Sequence, residues 1–130
     1  MVESNMHWFN STNGFINIIF LTMGFFSNTK AAIDLIHAAD AINDCFKNRL
    51  LPYLNKYNLG QTYNSQDYPY IRAGVEFIEK MVIYMRIRLQ DLPADKWMYT
   101  MVRAVDGHST PVLGYIMAML DLCKELRKGF

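Results

Sequence analysis

Residues 81–120, MVIYMRIRLQDLPADKWMYTMVRAVDGHSTPVLGYIMAML, decide how the rest of the chain is read. From Met81 to Leu89 the side chains alternate. Ile83, Met85, Ile87 and Leu89 fall on one side, and Tyr84, Arg86 and Arg88 on the other. A period of two is the pattern of a strand with one buried and one wet face. Gln90–Asp95 holds Pro93 and two aspartates, which is turn chemistry. Lys96–Val105 carries Trp97, Tyr99, Thr100 and Val102 and reads as a second strand. Asp106-Gly107 is a tight-turn dipeptide, and His108–Pro111 lengthens that connection. Val112–Leu120 reads as a third strand, and Asp121–Lys128 as a short charged helix. The expectation is a three-stranded antiparallel meander.

Upstream the signals change. Asn10–Gly14 is a polar turn cluster, and Gly14–Phe26 is an Ile- and Phe-rich run read as one or two short strands. At 13 residues that run is shorter than the roughly 20 needed to span a bilayer as a helix. Ser27, Asn28 and Thr29 offer N-cap oxygens. From Lys30 to Leu50 apolar residues recur at threes and fours, which predicts a helix with a kink or restart at Pro52. Leu59–Tyr70 contains Gly60, Asn64, Ser65, Asp67 and Pro69 and reads as a functional or mobile loop, or an insertion. Arg72–Lys80 reads as a short helix. Helices packed on one face of an antiparallel sheet make an α+β domain.

Length and composition bound the answer. The chain has 130 residues, enough for one domain with a real core. Its 52% apolar content excludes a disordered or low-complexity chain. Thirteen basic and twelve acidic residues leave +1, which gives no electrostatic case for direct nucleic-acid binding. Cys45 and Cys123 are too few for a disulfide scaffold and form no CxxC pair, so they read as cytosolic thiols, with one structural disulfide as the alternative. Met1–Phe9 lacks the basic residues of a signal peptide. The expectation is therefore a cytoplasmic chain without a membrane partner.

The order of elements, strands then short helices then three long strands, resembles a PAS domain. The resemblance is carried by Ile83–Leu126: Arg86 and Arg88 on a basic strand, Trp97 opening the next, the Asp106-Gly107 hairpin, and Leu113-Gly114 leading to Asp121-Leu122. Leu35–Asp40, LIHAAD, is similar to a helical segment of the same family with Ala38 in place of Pro. The resemblance implies a single PAS-like domain over residues 1–130, with residues 120–130 starting an outgoing helix. It also implies a sensory, ligand-binding or dimerisation module that relays a signal to an effector outside the chain. A class III nucleotidyl cyclase core is a second resemblance, carried by Ala32–Phe46 and Pro69–Phe77. Such an enzyme needs metal-binding carboxylates, and Phe15–Thr22 supplies none, so this reading implies an inactive domain.

Chemistry-bearing motifs are sparse. There is no GxSxG motif and no Gly-rich phosphate loop, so no enzyme is expected. His37 and Asp40 stand three apart on the expected helix, a spacing open to a shared metal, although a surface contact is the plainer reading. Nine methionines stand out, six of them in the three expected strands. Methionine fills irregular space and adapts to varied partners. Ile83, Met85, Tyr99, Met101, Tyr115 and Met117 are the residues expected to line a site for a small apolar ligand. A bare homodimer is the alternative, since Tyr and Arg are enriched at interfaces. The cofactor, if any, is not specified by the residues.

Overall fold

The computed structural model describes the backbone of residues 12–130 and the side chains from Thr29 onward. Helix α1 (Thr12–Cys45) runs into a single π turn, Phe46–Leu50, and a short helix α2 (Leu51–Leu54). Pro52 accounts for the widened turn. It has no N–H to donate, and its ring crowds the carbonyl four residues back. Helix α3 (Tyr68–Leu89) begins with Pro69 in its first turn, where a missing N–H costs nothing. A 3₁₀ turn, Ala94–Lys96, leads to strands β1 (Met101–Arg103) and β2 (Ser109–Pro111), and α4 (Val112–Arg127) closes the chain.

Two sets of contacts fix the helix directions. Arg88, at the end of α3, donates to Asp34 of α1, while the Cys45 thiol donates to the Gly74 carbonyl near the start of α3. Those helices are antiparallel. Arg127 of α4 grips Glu79 at 2.6 Å and the Cys123 thiol meets the Val75 carbonyl in the first half of α3, while Leu113 and Ile116 at the start of α4 lie beside Leu89 and Gln90 at the end of α3, so α4 also runs antiparallel to α3. The core is one set of stripes at helical spacing: Leu35, Ala38 and Ile42 on α1, Ile71, Val75, Ile78, Val82 and Met85 on α3, and Val112, Ile116, Met119 and Cys123 on α4. Each stripe repeats at three and four residues, so each helix buries one face.

The fold is α+β, with a two-stranded antiparallel sheet. It has no three-stranded meander among the described residues. Met81–Leu89 is the second half of α3, and Val112–Leu120 is the first half of α4. The alternation in Met81–Leu89 is real, but it comes from two isoleucines, Ile83 and Ile87, that lie on the exposed side of a helix. Only Met101–Arg103 of the expected strand Lys96–Val105 is strand. The apolar run Gly14–Phe26 is helical, where short strands were expected. A short apolar run reads equally well as either element. Asn10 and Ser11 of the expected turn, the Met1–Phe9 stretch and His7 lie outside the described residues. The Asp106-Gly107 turn is present. Gly107 takes a positive φ of 90°, and Asp106 accepts from the His108 N–H.

Residues 128–130 fold back against the Tyr63 loop. Leu120–Arg127 completes α4, and the Phe130 ring packs edge-on to Tyr63 and Tyr68. The Asn55–Asp67 connection is stapled to this end. Tyr63 donates from its N–H to Gly129 and from its hydroxyl to Leu126. Within the loop, Tyr57 donates its hydroxyl proton to Asp67 at 2.6 Å, and Lys56 pairs with the same carboxylate at 2.8 Å.

Gly114 sits exposed in the first turn of α4, and a Cβ there would meet nothing within 4 Å. Gly114→Ala is expected to stabilise the fold by about 0.5–1 kcal/mol through reduced chain entropy. A thermal melt should show the midpoint rising by roughly 2–4 °C. A midpoint lowered by the alanine would contradict the helix.

Three carboxylates carry an acid-sensitive share of the stability. The Lys56 and Tyr57 hydrogen bonds hold Asp67 below the usual carboxylate range, and Arg127 does the same for Glu79. Burial pushes Asp34 upward, but the Arg88 hydrogen bond and Lys30 together outweigh it and lower its pKa. A lowered folded pKa means stability that is complete above the unfolded value of about 4 and lost as pH falls through the folded value. Urea midpoints are expected to fall between pH 5 and pH 2, and less steeply for Asp67→Asn. Parallel acid limbs for the variant and the wild type would contradict this.

Candidate functional site

Helix α3 lies between α1 and α4 and buries only one side, so its other side is open. The residues there are Arg72, Ala73, Glu76, Lys80, Ile83, Tyr84 and Ile87. They recur at threes and fours, so they share one face. Its C-terminal half is apolar: Ile83 is 54% and Ile87 59% exposed. A helix that buries one stripe and shows branched aliphatics on the opposite one departs from the polar outer face expected of a surface helix.

A trough lies between the C-terminal end of α3 and α4. Leu89, Trp97, Leu113, Ile116, Met117 and Leu120 line it, with Arg86 and Gln90 on the rim, and its volume is ≈ 410 Å³. Trp97 is held in place by its indole N–H, which donates to the Leu92 carbonyl at 3.1 Å. Met117 stands 60% exposed at the edge. Arg86 forms no ion pair among the described residues. The contrast with Arg88 is clear, because Arg88 is committed to both Asp34 and Asp91.

The six residues expected to line one cavity are dispersed. Met85 is in the core and Ile83 is on the open face of α3. Tyr99 and Met101 are exposed around the start of β1. Tyr115 is buried, and its hydroxyl donates to Asn43 at 2.6 Å. Of the six, only Met117 lines the trough. The sheet is two strands of three residues, too small to floor a cavity of the expected kind. Arg86, Trp97, Leu113 and Leu120 were not singled out as lining residues. For Leu113 and Leu120 the available signal is helical spacing across Val112–Leu126, visible once the window runs past Leu120; Arg86 and Trp97 lie outside that window.

Other candidate chemistry is spread out. His37 and Asp40 are both exposed on α1, and no group of three or more metal-ligating side chains forms among the described residues. Both cysteines are free and buried. Burial pushes the Cys45 thiol up and the Cys123 thiol up to about 11, so both stay protonated near neutrality. Among the described residues no helix is long and apolar enough to cross a membrane. In comparisons with protein-family models, with curated proteins and with solved structures, nothing matches this chain.

Proposed function

We propose that the chain is a protein–protein dimerisation module whose working surface is the open face of α3. The observation that carries this reading is the exposure of Ile83, Tyr84 and Ile87 together on one face of α3. Contiguous exposed apolar area marks interaction sites more often than scattered single residues do. Aromatic, Met and Arg side chains are also those enriched at interface cores. The PAS resemblance contributes one idea, a small domain that signals by dimerising, and this needs no three-stranded sheet. Ile87→Glu is exposed and so leaves the core intact. It is expected to abolish concentration-dependent association in sedimentation velocity while the thermal midpoint stays within a few degrees. Association unchanged by Ile87→Glu would refute the face as the interface.

A second reading has its own observation. The trough pairs an apolar floor with the unpaired Arg86 guanidinium, which suits a small amphiphile carrying a carboxylate. Its volume lies in the range of ligand sites. A fatty acid quenching Trp97 fluorescence in the wild type and not in Arg86→Ala would support it; equal quenching in both would exclude it.

A further inference from the structure

We propose that two copies pair antiparallel through the open faces of their α3 helices, with Glu76 of each opposite the partner's Lys80. The inference rests on reading that face as the dimerisation surface, and it adds the direction and the register. In a two-fold interface, residue i meets j and j meets i, so the face must complement itself. Laid antiparallel about a point between Glu76 and Lys80, the α3 face does so. Glu76 meets the partner's Lys80, Ala73 the partner's Ile83, Arg72 the partner's Tyr84, and Pro69 the partner's Ile87.

Three of the four pairings have a physical reason. Lys80 has no ion pair among the described residues. Glu76 uses Oε2 for Arg72, at 3.2 Å, and leaves Oε1 available. The small Ala73 gives the branched Ile83 room, the large-against-small arrangement that lets helices approach. Arg72 over a tyrosine ring is a cation–π geometry. A parallel arrangement would instead set Lys80 against the partner's Lys80, a repulsive contact at the centre. The point opposite the proposed axis is Ile78, wholly buried, so the axis falls at the middle of the open side.

Charge reversal tests the register in the full chain. Lys80→Glu makes the centre of the face all acidic, and Glu76→Lys makes it all basic. By sedimentation equilibrium, each is expected to weaken self-association roughly tenfold, because symmetry counts each changed pair twice. An equimolar mixture is expected to recover it as a heterodimer, and the double reversal is expected to associate like the wild type. All these positions are exposed or half-buried, and circular dichroism checks that each variant folds. Independently, Ala73→Cys mixed with Ile83→Cys should cross-link under mild oxidation, while Ala73→Cys alone should not. Single reversals that associate like the wild type would overturn this register while leaving dimerisation standing. A wild-type chain that stays monomeric at millimolar concentration would overturn both the register and the dimerisation reading.

Discussion

Asn43→Leu is expected to destabilise the fold by about 1–3 kcal/mol, a large share of the roughly 5–15 kcal/mol that holds a domain together. Asn43 is one of two buried polar residues among the described ones, and its amide spans three elements. Its Oδ1 accepts from the Tyr115 hydroxyl of α4 at 2.6 Å, and its Nδ2 donates to the Arg103 carbonyl of β1 at 2.8 Å. The second bond follows from the strand ladder. Ala104 donates to the His108 carbonyl and Val112 to the Thr100 carbonyl. That places Arg103 opposite Ser109 at a non-hydrogen-bonded position. The Arg103 carbonyl therefore points away from β2, and α1 satisfies it. A leucine fills the space and leaves the Arg103 carbonyl unsatisfied, at about 1–3 kcal/mol, while the Tyr115 hydroxyl keeps the Ala39 carbonyl as acceptor at 3.1 Å. Tyr115→Phe removes one bond of the pair and should cost less. Chemical denaturation of the two variants gives the order directly. A leucine variant as stable as the wild type would mean that the amide does not join the hairpin to the bundle.

Gly74→Val is the second large effect. A Cβ at this position would lie 2.6 Å from Leu50 Cδ2 and 2.7 Å from Leu50 Cγ. Leu50 is wholly buried at the end of the π turn, so it has no solvent to move into. Glycine here lets α3 pass close beneath the turn, and Cys45 Sγ reaches the Gly74 carbonyl at 3.6 Å. The added side chain must push the π turn and α3 apart. Overpacking of this kind costs about 1–3 kcal/mol, and the β-branch places the variant at the upper end. Gly74→Val combined with Leu50→Ala should recover part of the loss, because truncating Leu50 opens the space. No recovery in the double variant would show that the strain lies elsewhere.

The sequence was most legible where a single face carried the pattern. Lys30–Leu50 shows one buried stripe, and it is helical as expected. Arg72–Lys80 is helical too, and the Asp106-Gly107 turn stands where the dipeptide placed it. The reading failed where a helix carries apolar residues on two faces. In Met81–Leu89 the core contributes Met85 and Leu89, and the open face contributes Ile83 and Ile87. Together they imitate a strand. The misreading and the proposed function thus have one origin, since the isoleucines that break the helical pattern are those left without a covering element among the described residues. In Val112–Leu120 the window was too short. The stripe Val112, Ile116, Met119, Cys123 and Leu126 becomes visible only when the charged DLCKELRK segment is joined to it. Leu59–Asp67 is loop as expected, while Tyr68–Tyr70 of the expected loop forms the first turn of α3. The loop's fastening was not legible, because Tyr63 finds Leu126 and Gly129 only after the chain has folded.

The central claim is that the open face of α3 is where this chain meets a second copy. The most direct measurement is a dilution series followed by methyl NMR, with isoleucine and methionine methyl groups labelled. The Ile83 and Ile87 methyls are expected to shift together with concentration, while those of the buried Ile42 and Ile78 stay fixed. Concentration-independent spectra, or shifts confined to methyls away from α3, would contradict the claim.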